Sequence, residues 1–248
     1  MLKVRIVPIL TFDGLSLVKT KQFNKPRIIG NPIQAARVYN SRNVDELVFI
    51  DINATRNSRK INLEVVKKVI DECFMPVTIG GGISSFEDIN NLLNIGADKV
   101  LIKTKAIENF KFIMESVNYF GSQCISISID IIRKKNEYKL HHTLNKELSL
   151  VNFIDIMKNC GVGEFVINSV DHDGIMEGFD IELMQEVSEN INIPTIIVGG
   201  AGKLEHFIEL YKSNYNGGVG ASSIFHFTQF TPKEVKNAIN KINIPVRI

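Results

Sequence analysis

The chain has 248 residues, 44% hydrophobic and 23% charged, ordinary proportions for a chain that buries a sizeable core without a disulfide or metal staple. Lys+Arg 29 against Asp+Glu 27 leaves a formal charge of +2 with no basic or acidic block, which argues against a nucleic-acid or membrane-surface footprint. No apolar run reaches the ~20 residues of a spanning helix, and MLKVRIVPIL lacks the length and cleavage site of a signal peptide.

Short Val- and Ile-rich runs alternate with amphipathic stretches along the chain. The run Val4–Leu10 leads to a helix over Pro32–Ser41, and Glu46–Ile50 to one over Leu63–Cys73. Pro76–Ile79 leads to Ser85–Asn94, where Phe86, Ile89, Leu92 and Leu93 fall at helical spacing. Lys99–Ile102 leads to Asn109–Tyr119, Cys124–Ile129 to Ser149–Asn159, and Glu164–Ile167 to Asp180–Glu189. Pro194–Val198 leads to Leu204–Lys212, and Gly218–Ala221 to Pro232–Lys241. Gly96, Gly121 and Gly161 stand where helices end, the place where a positive φ costs glycine little. Runs that do not alternate polar with apolar suit parallel strands covered on both faces. Eight such units over this length are the arithmetic of one (βα)₈ barrel spanning residues 1–248. A doubly wound open sheet is the runner-up and would need a topological switch point that the sequence does not display. The stretch Ile131–His142 reads as a small hairpin inserted after the fifth strand.

An internal repeat supports the barrel. DELVFIDINAT, IGGGIS and LIKT in the first half match GEFVINSVDHDG, VGGAGK and GASS in the second at an offset of about 119 residues. Each half thus carries a Gly-rich turn between strand and helix: Gly80-Gly81-Gly82 and Gly199-Gly200. Glycine there lets backbone N–H groups approach a ligand, and the following helix terminus favours an anion. Thr104 and Ser222-Ser223 add hydroxyls after the fourth and eighth strands. Duplication of this device predicts two phosphate sites on opposite sides of one barrel mouth, and an elongated ligand with an anionic group at each end.

Carboxylates at strand ends come next, because barrel chemistry sits there. Asp51, Asp130 and Asp171 each end a strand, with Asp173 close behind in the turn-like DHDG. Asp130 closes the apolar run CISISI, where packing alone does not explain a charge. At the opposite ends of the strands, Arg5, Glu46, Lys99 and Glu164 converge on the axis. They read either as a buried ion-pair plug or as a gate for a small polar molecule. Cys73, Cys124 and Cys160 form no CxxC, are expected as buried small hydrophobes, and suit a reducing cytoplasm. The five histidines, with His141 and His142 adjacent in the hairpin, show no ligand spacing, so no metal and no cofactor is expected.

The stretches RIVPIL, DELVFIDINAT, PVTIGGGISSFED, FGSQCISISID, GVGEFVINSVDHDGIMEGFD, GGAGKLEHF and SSIFHF resemble the HisF-type cyclase subunit of imidazole glycerol phosphate synthase over essentially the full length. That resemblance implies a lyase-class (βα)₈ barrel paired with a glutaminase whose ammonia enters through the barrel bottom. It implies an ammonia gate at Arg5, Glu46, Lys99 and Glu164, and phosphate binding at Gly82, Thr104, Asp173, Gly174, Gly200 and Ser223. Gly81, Gly199 and Ser222 adjoin those positions and join the expected phosphate set. It implies a catalytic carboxylate at Asp130 and a mobile-loop lysine at Lys19. Three positions depart from the family pattern. Its other catalytic aspartate falls on Thr11, its usual asparagine on Lys103, and its common threonine on Asn168. Lys19, Asp51, Lys103, Asn168 and Asp171 complete the residues expected at the mouth.

A hydroxyl does not titrate near neutrality, and losing a general acid or base costs about 10²–10⁴-fold in rate. Asp13 lies two residues beyond Thr11, about 6–7 Å along an extended chain, in an Asp-Gly turn context. A paralogous branch that lacks the same aspartate and acts in acetamidino modification of surface sugars resembles the chain better. Its likeness is carried by Lys19-Thr20, Phe23, Pro26-Arg27 and ECFMP. The leading expectation is a barrel that takes ammonia from a HisH-like glutaminase, alongside an ATP-dependent sugar amidotransferase. The alternatives are a true histidine-pathway cyclase, a partnerless sugar-phosphate isomerase, and a scaffold without chemistry.

Overall fold

The computed structural model describes residues 3–141, 148–189 and 191–247. In chain order the elements are β1 (Ile6–Phe12), β2 (Leu17–Lys19), β3 (Arg27–Gly30), α1 (Pro32–Ser41), β4 (Leu47–Asp51), α2 (Leu63–Ile70), β5 (Val77–Gly80), α3 (Phe86–Asn94) and β6 (Lys99–Ile102). There follow α4 (Thr104–Glu108), α5 (Phe110–Phe120), β7 (Ile125–Lys134), β8 (Glu137–Leu140), α6 (Leu150–Asn159), β9 (Glu164–Ser169) and α7 (Ile181–Ser188). The chain closes with β10 (Thr195–Val198), α8 (Leu204–Lys212), β11 (Gly218–Ala221), α9 (Ser223–Phe227) and α10 (Pro232–Asn240).

Eight of these strands pair in parallel around a closed circuit, β1–β4–β5–β6–β7–β9–β10–β11 and back to β1, with helices between them. The chain is a (βα)₈ barrel. The strands are short runs largely buried on both faces, most of them rich in Val and Ile, and closure removes the exposed edge that such a run would otherwise carry. The outward faces pack Phe49, Phe153, Phe165 and Phe207, among others, against the helices. The inward faces form a second, separate cluster of Val7, Ile9, Val48, Leu101, Val166 and Ile196, backed by Ile50 and Val198.

Local signals set the helix ends. Ser85 and Asp88 form a capping box on α3, and Thr231 and Glu234 form one on α10, each satisfying N–H groups that the first turn leaves unpaired. Gly96, Gly121 and Gly161 take φ of +110°, +90° and +79° where α3, α5 and α6 end. At the base, Asp45 accepts from the Ile6 amide at 3.0 Å and pairs with Lys236 of α10 at 2.7 Å.

The structure moves several expected boundaries. The first strand starts at Ile6, two residues late, because Val4 bridges to Val246 of the returning C-terminal segment. The fifth strand does not stop at Ile129: β7 runs on to Lys134 and turns back into β8, pairing Ile131 with Leu140. Lys135 and Asn136 make that turn with φ of +49° and +63°, the twist that two-residue hairpins favour. His142, the expected end of the hairpin, lies outside the described residues. The thiols are half-buried rather than buried: Cys73, Cys124 and Cys160 all keep some solvent contact.

Candidate functional site

The base of the barrel carries an alternating ring of charge. Arg5 and Glu46 immediately precede β1 and β4, while Lys99 and Glu164 open β6 and β9. Arg5 reaches Glu46 at 2.7 Å and Glu164 at 2.5 Å, and Lys99 reaches the same two carboxylates at 2.9 Å each. The Thr78 hydroxyl donates to Glu46 at 3.0 Å. Burial pushes the Glu46 carboxyl up, but Lys99 and Arg5 outweigh it and hold the group below its ordinary 4.5. Burial likewise works against the Arg5 guanidinium, and Glu164 and Glu46 together raise it. Four charges that sum to zero thus hold one another, each bonded to two opposite neighbours. Above this ring the inward-facing apolar cluster lines the axis.

At the mouth, Asp130 sits beside Asn168 in the β7–β9 register and is buried. Its carboxylate pairs with Lys103, whose ammonium also lies 5.8 Å from the centre of the Phe23 ring. Asn168 presents a buried side-chain oxygen with no hydrogen-bond donor among the described residues. Thr11 donates its hydroxyl to the Val18 carbonyl, so it is engaged within its own loop. Asp13 does not stand in for a carboxylate at Thr11. Its Oδ1 accepts from the Leu15 and Ser16 amides at 2.8 Å each, which makes it a turn cap at the start of loop one.

Asp51 is buried and held by Arg59 through two bonds of 2.6 and 2.9 Å, with Arg59 also donating to the Asp13 carbonyl at 3.0 Å. Asp51 therefore ties the β4–α2 loop to loop one through Arg59. Asp171 plays a similar part, accepting from the Arg133 amide of the hairpin at 2.7 Å.

Lys19, Gly174, Gly199, Gly200, Ser222 and Ser223 converge on one pocket between the ends of β10 and β11. Gly199 and Gly200 take φ of +109° and +102°, and a Cβ on Gly200 would lie 1.8 Å from the Gly178 carbonyl. Only glycine permits that approach. The hydroxyls of Ser222 and Ser223 are buried and meet no partner among the described residues. Asp173 lines the pocket too, but its carboxylate accepts from Lys19 at 2.5 Å and from Thr20 at 3.1 Å. The Asp173 side chain thus holds the Lys19 ammonium at the pocket. Lys19 itself is buried.

The glycines of the two halves line different pockets. Gly81 and Gly82 line a second pocket with Lys60 and Asp88, and Thr104 is not among its lining residues. Thr104 opens α4 and Ser223 opens α9, short helices at matching positions 119 residues apart. In the second half Ser222 and Ser223 line the same pocket as Gly199 and Gly200.

The family described as histidine biosynthesis protein matches residues 5–231. The chain belongs to this family. Among its relatives, imidazole glycerol phosphate synthase subunit HisF of Clostridium botulinum strain Langeland is 38% identical over 253 residues, all of both chains. The HisF of Bacillus cereus strain G9842 is 38% identical over 252 residues, again all of both chains. A Campylobacter jejuni protein whose assignment as subunit hisF2 is provisional is 41% identical over 249 residues, with full coverage of both. The HisF-family barrel described here thus has full-length kin under one name.

Sequence reading missed three members of this HisF-family mouth. Arg59, eight residues after Asp51, carried a signal in its charge but none in its direction. Phe23, at φ +57° beneath Lys103, and His141, edge-on to Phe23 at 5.4 Å, come together only through the fold. Among the described residues no cluster of His, Cys, Asp or Glu could hold a metal ion, and no helix is long and apolar enough to cross a membrane.

Proposed function

We propose that this chain is the ammonia-accepting barrel subunit of a cytoplasmic glutamine-dependent system. It docks a HisH-type glutaminase on the face that carries Arg5, Glu46, Lys99 and Glu164. Ammonia passes that ring and the apolar axis to the mouth, where a phosphorylated ligand is held by Gly199, Gly200, Ser222 and Ser223 with Lys19 beside them. The nitrogen serves the acetamidino modification of a surface sugar, completed with an ATP-dependent amidotransferase.

One observation carries this reading: the charged ring stands directly beneath an apolar axis, while the mouth has Asp130 tied to Lys103 and no carboxylate at Thr11. The entry side is intact and half of the acid–base pair is absent. Asp13, the residue best placed to replace it, is engaged as a turn cap, which weighs against a true cyclase.

The test pairs the purified chain with its HisH-type glutaminase and supplies the histidine-pathway substrate with glutamine. Docking is expected to stimulate glutamine hydrolysis, while cyclase turnover stays about 10²–10⁴-fold below ordinary rates. Cyclase turnover at ordinary rates would establish the histidine-pathway cyclase instead. Failure to bind or stimulate the glutaminase would remove the ammonia reading altogether.

A further inference from the structure

The wall of the barrel axis is not uniformly apolar. Register places Ser126 beside Leu101 on one side and Glu164 on the other, and Ser128 beside Val166. Leu101 and Val166 belong to the inward-facing cluster, whereas Ile125, Ile127 and Ile129 belong to the core under the helices. Side chains alternate along a strand, so Ser126, Ser128 and Asp130 face the axis in single file, at steps of about 6.5–7 Å. The first neighbours Glu164 of the charged ring, and the last is the carboxylate paired with Lys103 at the mouth.

Ser126 is fully buried, and its hydroxyl meets no hydrogen-bonding partner among the described residues. Two other buried serines find partners, Ser116 in the Phe112 carbonyl at 2.7 Å and Ser169 in Asp180 at 3.1 Å, whereas Ser222 and Ser223, which like Ser126 meet none among the described residues, line the pocket at the mouth. A serine in a strand has no carbonyl four residues back to accept its proton, and an apolar wall offers nothing else. An unpaired buried hydroxyl is costly, and a polar cavity resolves the cost by taking up a water-sized molecule with several polar neighbours.

We infer that Ser126 and Ser128 are two hydrogen-bonding stations for a water-sized neutral molecule, leading from the Arg5–Glu46–Lys99–Glu164 ring to Asp130. Their occupant is ammonia only insofar as the function proposed above holds. Each hydroxyl either donates its proton to the visitor's lone pair or accepts one of the visitor's N–H or O–H groups. The stations therefore select for small neutral hydrogen-bonding species, while the surrounding Val and Ile side chains exclude ions. On the two adjoining strands the positions that flank this file are Leu101 and Val166, with Glu164 of the ring below.

The experiment is a high-resolution crystal structure of the full chain, with and without ammonium chloride at alkaline pH, for the wild type, Ser126→Ala and Ser128→Ala. Ordered density is expected about 2.7–3.2 Å from each serine oxygen, and each alanine is expected to abolish the density at its own position with the backbone unchanged. A dry axis in the wild type, with Ser126 turned onto a main-chain carbonyl, overturns the inference. So does density that persists in both alanine variants. These outcomes separate from the docking test above: occupied stations in a chain that binds no glutaminase leave this inference standing while the ammonia reading fails, and a dry axis in a chain that does bind one has the opposite result.

Discussion

Thr11 donates its hydroxyl to the carbonyl of Val18, which ties the end of β1 to the strand that follows it. The position that the proposed function reads as lacking an acid or base is thus part of loop-one folding. Across the mouth, Lys103 holds Asp130. These two features act together. An aspartate at position 11 would set a carboxylate against a carbonyl and remove the hydrogen bond, at a cost of about 1–3 kcal/mol. Thr11→Asp alone is expected to lower Tm and to leave cyclase turnover below detection with ammonium as donor, because Asp130 stays paired. Thr11→Asp with Lys103→Asn is expected to raise turnover by about 10²-fold over the parent. Full turnover from the single substitution would show that Lys103 imposes no barrier.

The fold was legible because eight Val- and Ile-rich runs can be buried on two faces only in a closed parallel sheet. The charged ring was legible because Arg5, Glu46, Lys99 and Glu164 stand at the start of such runs, where apolar residues would otherwise serve. The pairing at the mouth was not. Lys103 and Asp130 lie 27 residues apart and meet because β6 and β7 are neighbours. The β2–β3 hairpin escaped notice because three- and four-residue strands carry too little alternation to register. The helices α4 and α9 span barely more than one turn, below any helical period.

The hydroxyls of Ser222 and Ser223 are buried without a partner among the described residues. Their cost in the free protein makes sense if an anion completes them. Ser222→Ala and Ser223→Ala are expected to leave Tm unchanged or slightly higher, since each removes an unsatisfied group. Binding of pyrophosphate, read by calorimetry, is expected to weaken about tenfold for each, equivalent to about 1.4 kcal/mol. A fall in Tm with no change in binding would assign both serines to packing.

Cys73 sits beside Glu72 at the end of α2, and its thiol donates to the Val69 carbonyl at 3.2 Å. Burial, helped by Glu72, pushes the thiol up to about 12. The thiolate is the nucleophile, so Cys73 is expected to react with iodoacetamide at pH 8 far more slowly than a free thiol. Peptide mapping after timed alkylation checks this, and labelling at the rate of free cysteine would contradict it.

Lys99 bridges Glu46 and Glu164 with little solvent around either carboxylate. Replacing it with methionine leaves two buried negative charges against Arg5 alone. Loss of one partner in such a network costs about 3–5 kcal/mol, or a Tm decrease on the order of 10 °C for a chain of this length. The pH dependence separates charge from packing. Burial raises the Glu46 carboxyl, Lys99 and Arg5 lower it more, and the folded group lies below its ordinary 4.5. Between those two values the unfolded chain binds more protons than the native one, so stability rises with pH. The contribution is present in full above 4.5 and is lost as pH falls through the lower folded value. Lys99→Met gives up much of that contribution at neutral pH and has less to lose in acid. The Tm gap between the wild type and Lys99→Met is therefore expected to be widest near pH 7 and to close progressively below pH 4.5. A gap that stays constant across this range would mean that the lysine acts through its methylene stem rather than its charge.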